Sequence, residues 1–553
     1  MSRDPLAAIS AVRTPQTVPI PGRAADQVRN NAGGYTFAKD VWGKLEDFLI
    51  LGSTNGTYYV GEQDHTFTNV QVVADAVTQD GQRAVALAVD VSTGRPPRAP
   101  KNHPALFLLA FAITKGDLDT RRAARVALAK VARTTFHQAV FFGYWKNLHG
   151  KPTATGTAPK IGRLTRGALG DLLTTPPADR VAFQACKAAA RKTPQGEAFS
   201  LRDVLRIAHP KAESDERRTL FGWIAGNVPD EQARLVLPSV DAFLTAKAVT
   251  SAAEAVRVVG ERGVPWEFLP DAVLTEPEVW DALIDTVGMT ALLRNLARMT
   301  RIGTLTPMSG ATRRATARLT DREALAAGRI HPLDVYLALR VYKSGRSQPN
   351  RKAQVQTWAP VPAILDALEE AYDASFGHVE PSGKRWLIAV DSSGSMSFGS
   401  VMASGSPLGS AYQVGCAMAT MMARIERGNT HVIDVDTSVH ASKITARTNL
   451  REIDSWRPSG GGTNLALPFS YAREQHLEVD GVLVLTDNET WAGRAHPSQE
   501  LAAYRAEVSA GARCVVASLT AAGHSIADPR DEGVLNVAGF DASLPRIVTE
   551  FVR

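Results

Sequence analysis

Cysteine is scarce: Cys186, Cys416 and Cys514 are the only three in 553 residues, and they lie far apart. That excludes a disulfide framework and a cysteine-built zinc site. The three read as buried structural thiols in a reducing compartment. No apolar stretch approaches the ~18 residues a membrane span needs, and residues 1–16 lack the apolar core of a secretory leader. The expectation is a cytoplasmic protein with no membrane partner. Catalytic signatures are also missing. No two histidines flank a glutamate at the spacing of a zinc-binding helix, and Gly52–Gly56 lacks the Gly-Lys-Ser/Thr ending of a phosphate loop. No serine occupies a Gly-x-Ser-x-Gly elbow. The chain does not read as an enzyme.

One further absence is local. From Thr120 to Gly170 there is no acidic residue, while ten basic ones occur. A stretch without carboxylates is the electrostatic footprint of a polyanion binder, or a solvated face neutralised from elsewhere in the fold. The overall charge of +6 is unevenly spread. From Lys384 onward 15 basic residues face 18 acidic ones, so the excess of positive charge belongs to the preceding 383 residues.

What is present is ordinary globular material, 44% hydrophobic and 21% charged, and long enough for two or more domains. The first 20 residues, rich in Pro and Arg, read as a flexible terminus. From Val41 to about Val341, apolar residues recur at three and four positions, the period of amphipathic helices. Pairs of such helices with short polar connections suggest a helical solenoid. Two Gly/Pro-containing basic loops interrupt it, at 147–163 and 345–356. Strand-type runs begin at Trp386 and recur at 431–436, 481–487 and 512–519, with helices expected at 408–427, 464–477 and 498–509. That alternation predicts a doubly wound, Rossmann-like α/β domain over 383–553. The Gly/Ser-rich stretch Ser397–Ser410 reads as a flexible lid.

The densest chemical signal is Leu387–Met396, LIAVDSSGSM. A short apolar strand ends in Asp391, and a Ser/Gly turn then offers Ser393 and Ser395. Thr463 follows in the loop Ser459-Gly-Gly-Gly-Thr463, and Asp487 ends a second apolar strand. Ligands at the carboxyl ends of parallel strands follow the rule for open α/β sheets. An all-oxygen set suits a hard divalent cation, with Mg²⁺ the leading choice. Two serines and a threonine supply too few carboxylates for two-metal nuclease chemistry.

These residues, in the order DxSxS, Thr, Asp, resemble the metal-ion-dependent adhesion site of the von Willebrand factor A fold. The resemblance implies that the serines bind the ion directly and that Asp391 acts mostly at a distance, with one position left for a partner carboxylate. Further segments resemble the TROVE module of the Ro autoantigen family: Asn31-Ala-Gly-Gly34, LEDFLILGSTNGTYY, GRPPRAPKNHPALFLLAFA, FSLRDVLRIAHPK, PWEFLP, VWDALIDTVGMTALLRNLARMT and RIHPLDVYLALRVYKSG. This implies an α-helical ring of HEAT-like repeats over 21–365, closed by the von Willebrand A domain. It also implies Y-type noncoding RNA on the outer surface and single-stranded ends of misfolded RNA in the central hole. A 3′ exoribonuclease such as polynucleotide phosphorylase, tethered through the RNA, is implied as a partner. The RNA positions carried over are Lys187 and Arg191, one turn apart on a helix, and Arg202, Arg206, His209 and Lys211 in the segment after it. Independently, Arg202, Arg206 and His209 form an i, i+4, i+7 stripe. The alternative is an assembly scaffold that captures a protein carboxylate at the metal site, without RNA.

Overall fold

The structure, a computed structural model, describes residues 13–51, 62–149, 161–190, 201–347, 355–397, 400–403, 406–520, 522–539 and 541–553. Arg191 and most of the basic loop at 147–163 lie outside the described residues.

From Val41 to Ser375 the described chain is helical. Each helix buries one stripe and leaves the other wet. Met289–Arg301, for example, buries Met289, Leu292, Leu293, Leu296 and Met299, while Arg294 and Arg301 face solvent. Connections are short because the ends are capped locally. Ser214, Ser251 and Ser309 each accept a backbone N–H from the first turn of their helix. Gly226 and Gly263 close helices in the left-handed conformation.

The helical array returns on itself. Arg329, just before helix Pro332–Lys343, donates to the carbonyl of Ser92 near the end of helix Glu62–Thr93, at 3.3 Å. Both ends of the array also grip the C-terminal domain. Arg98 reaches Asp541 (2.8 Å) as well as Glu46. From the last helix, Pro362–Ser375, Asp366 pairs with Arg451 and Asp373 with Arg424. Lys343 pairs with Asp454. The result is an α-helical ring closed by an α/β domain.

That domain holds a six-stranded sheet in the order Val534–Ala538, Arg513–Ser518, Gly481–Thr486, Trp386–Asp391, Thr430–Val435, Val439–Ala441. The strands are β3 (Trp386–Asp391), β6 (Thr430–Val435), β7 (Val439–Ala441), β8 (Gly481–Thr486), β9 (Arg513–Ser518) and β11 (Val534–Ala538). All neighbours run parallel except the β6–β7 edge pair. β3 and β8 are buried along their whole length, as expected of strands covered on both faces. Trp386, Ile388 and Val390 point into one core, and Leu387 and Ala389 into the other. Helix Ala411–Ile425 is buried nearly all round because it lies between the sheet and the helical ring.

Two expectations need correction. Residues 13–20 are not loose: Gln16 is fully buried and hydrogen-bonds Asn464 and the carbonyl of Ala495 in the α/β domain. The stretch Ser397–Ser410 is no free lid. It carries an antiparallel hairpin of β4 (Ser400–Ala403) and β5 (Ser406–Ser410), docked beside helix Pro332–Lys343. A second small sheet was also unforeseen. β1 (Gln27–Arg29) pairs with β2 (Tyr35–Ala38), and β2 pairs with β10 (His524–Ser525) of the α/β domain.

Candidate metal centre and nucleic-acid interface

β3 and β8 deliver their terminal residues side by side. Asp391 is fully buried; its Oδ1 accepts from the Ser393 N–H (3.0 Å) and its Oδ2 from the Thr486 hydroxyl (2.6 Å). The turn after β3 brings the Ser393 and Ser395 hydroxyls to 3.1 Å of each other. Loop 459–463 is laced onto this turn. Gly460 N–H donates to the Ser392 carbonyl (2.9 Å), and Gly394 N–H to the Gly461 carbonyl (3.1 Å). Gly460 and Gly461 have φ of +88° and +87°, a conformation glycine adopts without strain. Thr463 is buried, and its carbonyl is fixed by the N–H groups of Trp491 and Ala492 at 2.9 and 3.0 Å.

Asp487 stands at the end of β8, buried, and accepts from the Glu489 N–H at 3.1 Å. Burial first, and then the charge of Asp391, push its carboxyl up to about 7, against the stabilising hydroxyl of Ser395. The Asp391 carboxyl is raised as well, mainly by burial. Asp391, Ser393, Ser395 and Asp487 therefore share one polar niche, and loop 459–463 carries Thr463 against it. A small divalent cation fits this set: the donors are all oxygen, and its charge would relieve two buried, mutually repelling carboxylates. Among the described residues, no group of three His, Cys, Asp or Glu side chains is placed to hold a metal ion, at this niche or elsewhere.

Sequence reasoning missed three participants. Asp436, buried just after β6, adds its charge to the niche and is held by the Ser438 N–H (2.7 Å) and His440 (3.0 Å). Its signal was available: HVIDVD is a third strand-like run ending in a carboxylate. Glu489 is bound by Asn31 Nδ2 (2.8 Å) and the Ala32 N–H (3.1 Å), so the turn joining β1 and β2 clasps the loop after Asp487. Trp491 stands 42% exposed next to Gly462.

The basic stripe lies on helix Leu201–Ala208. Arg202, Arg206, His209 and Lys211 are all exposed. Arg202 donates to the Ile224 carbonyl (3.1 Å), which points its guanidinium along the neighbouring helix. Arg206, His209 and Lys211 have no ion-pair partner among the described residues. His209 ends the helix at φ +46°, so it is a helix-terminus residue on the surface and not a core histidine. Lys187 differs: its ammonium is engaged by Glu267 at 3.1 Å. Its helix, Ala178–Ala190, is joined to the stripe through helices Arg163–Thr174 and Asp215–Ala225, each of which packs against both. Of the acid-free stretch, Arg122 pairs with Asp119 and Arg125 with Asp171, carboxylates from just outside it.

Comparison with known proteins decides the family. The chain matches the Ro60 vWA domain over residues 385–552 and the TROVE domain over 250–340. It is 36% identical over 552 residues to the RNA-binding protein RO60 of Deinococcus radiodurans, covering 99% of each chain. The chain belongs to the Ro family. The RNA-binding protein RO60 of Caenorhabditis elegans is 30% identical over 606 residues, covering 95% of this chain and 90% of that one. The crystal structure of the Deinococcus radiodurans RO (RSR) protein superposes with a TM-score of 0.66 at 34% identity, covering 93% of this chain and 99% of that one. Family membership makes this Ro-family chain a non-enzymatic protein. No helix among its described residues is long and apolar enough to cross a membrane.

Proposed function

We propose that this Ro-family protein is a cytoplasmic scaffold for structured noncoding RNA. The observation that carries this reading is the exposed stripe Arg202, Arg206, His209 and Lys211 on the helical ring, in a chain related end to end to RNA-binding proteins. Cationic side chains that no carboxylate neutralises gain most from phosphate, because binding releases condensed counterions. In this reading a Y-type RNA sits on the stripe, and single-stranded 3′ ends of misfolded RNA enter the ring, which selects by shape and not by sequence. A partner 3′ exoribonuclease, tethered by the RNA, performs the hydrolysis or phosphorolysis. Mg²⁺ held by Ser393, Ser395, Thr463, Asp391 and Asp487 would present an open position to a partner carboxylate. This chain's own residues supply the cradle and exclude water around it.

The test is RNA binding across a salt series, comparing a structured RNA with a single-stranded 3′ tail against a blunt duplex. Tail-dependent affinity with a steep salt slope is expected. Arg206→Ala/His209→Ala should weaken Y-type RNA about tenfold or more and flatten the slope by about one per lost phosphate contact. Lys187→Ala should cost less, because Glu267 already holds that ammonium. Weak binding that ignores both tail and substitutions would overturn the scaffold reading.

A further inference from the structure

The seam where the helical array closes on itself carries a concentration of positive charge that the stripe does not use. Arg133 Nη1 donates to the Ser92 carbonyl (3.1 Å) and hydroxyl (3.0 Å), and Arg329 Nη1 donates to the same carbonyl (3.3 Å). Two guanidinium groups, one from residues just after helix Leu118–Val131 and one from near the end of the repeats, thus converge on one neutral oxygen. Neither has a carboxylate partner among the described residues. Nearby carboxylates are otherwise engaged: Asp90, Glu46 and Asp541 all converge on Arg98, and Asp334 acts on Lys101.

The mutual repulsion is felt. Burial and the charge of Arg329 lower Arg133 to about 10, and burial and the charge of Arg95 lower Arg329. Arg95 itself is exposed. The Nδ1 of His103 is buried without a hydrogen-bond partner, beside Asn102, whose amide oxygen accepts from the Ser92 hydroxyl at 2.6 Å. Such a group is unfavourable for a folded protein as it stands. It becomes favourable once an anion with several acceptor oxygens arrives, because guanidinium forks match phosphate oxygens in pairs.

We propose that Arg133 and Arg329, which converge on Ser92, together with the neighbouring exposed Arg95, form a phosphate-binding site at the ring seam that takes a phosphate group of single-stranded RNA. This deepens the RNA-scaffold reading and rests on it for the source of the phosphate. A carboxylate brings one charge and two oxygens. A terminal phosphate brings about two charges and three free oxygens, closer to what three guanidinium groups demand. The bound anion would tie the first repeats to the last, so that occupancy and ring closure are coupled.

The experiment uses the full chain in two arms. In the first, thermal unfolding is followed against inorganic phosphate, with chloride and acetate at matched ionic strength. Wild type should show a saturable rise with phosphate only. Arg133→Gln/Arg329→Gln should lose it, and Arg95→Gln, at an exposed position that leaves the fold intact, should weaken it about threefold. An equal response in all three proteins, or an equal response to acetate, would overturn the site. In the second arm, a single-stranded oligonucleotide with a 5′-phosphate, its 5′-hydroxyl counterpart and a Y-type hairpin are titrated. The double variant and Arg95→Gln should lose affinity for the single strands while keeping the hairpin. A stronger loss for the 5′-phosphorylated strand identifies a terminal phosphate, and an equal loss an internal one. If wild type responds to phosphate but binds no RNA, the site stands and the scaffold reading falls. If RNA binds and Arg95→Gln and the double variant keep full single-strand affinity, this inference falls and the scaffold reading stands.

Discussion

Asp391 and Asp487 show how one pair of side chains can be costly alone and useful together. Each is buried, which raises its affinity for protons, and the charge of Asp391 raises that of Asp487 further. Replacing Asp487 with Asn removes one charge while keeping size and most hydrogen bonding. The metal-free variant should therefore be the more stable one, by about 1 kcal/mol or more. Adding Mg²⁺ should reverse that ranking. At a hundredfold excess over its dissociation constant, an ion bound only by the folded state adds about 2.7 kcal/mol. Calorimetric melting of both proteins with and without Mg²⁺ reads this directly; a Mg²⁺ response that survives in Asp487→Asn would remove Asp487 from the ligand set. A second residue, His137, sets an acid limit. Burial, with Arg133 and His103 nearby, lowers its pKa to about 4, while the Val131 carbonyl partly opposes the shift and Asn102 lies alongside. Between pH 6.5 and 4 the unfolded chain binds a proton that the folded chain refuses, so stability falls as pH falls through that window. The full effect is on the order of 3 kcal/mol. His137→Gln should flatten the loss of melting temperature over that range.

Among the elements, legibility followed burial and locality. β3, β8 and β9 were readable because a strand covered on both faces must be a continuous apolar run, and LIAV, GVLVL and CVVAS are such runs. The metal-niche residues were readable for the same reason, since they terminate those runs. β1 and β2 were not. QVR and YTFA are three and four residues long, and the partner of β2 is β10, nearly five hundred positions later. No local pattern reports such a pairing. The same holds for the seam, where Ser92, Arg133 and Arg329 meet only through the closure of the ring. The turn between β1 and β2 offers a sharp test of this hidden element. Asn30 and Gly34 bond each other and pack against the Thr490 carbonyl, and a Cβ on Gly34 would sit 1.9 Å from that oxygen. Gly34→Ala must therefore push the turn away from the loop that follows Asp487. A loss of about 2 kcal/mol or more is expected, together with weaker Mg²⁺ binding, measured by melting and titration. Unchanged values for both would show that the turn is a bystander.

At the scale of the whole molecule, the positive helical ring and the negative α/β domain are held by ion pairs of unequal weight. Arg451 of the closing domain with Asp366 of the last helix is a solvent-facing pair and worth little. Arg98 is different. It bridges Glu46 and Asp90 of the helical ring to Asp541, whose side chain is 1% exposed in the closing domain. Burial raises the Asp541 carboxyl even with Arg98 beside it. Removing the guanidinium leaves a buried carboxylate without its cation, which typically costs 3–5 kcal/mol. Arg98→Met should therefore loosen the junction far more than any surface pair, and proteolysis of the connection between ring and domain should accelerate. Arg98→Met/Asp541→Leu removes both charges and should recover most of the loss, because a buried pair often contributes little beyond the desolvation it offsets. If the double variant melts as low as the single one, Arg98 acts through Glu46 and Asp90 within the ring, and the closing domain is held instead by Lys343 with Asp454 and Arg424 with Asp373. Those two outcomes assign ring closure to different ends of the helical array, at the first helices or the last.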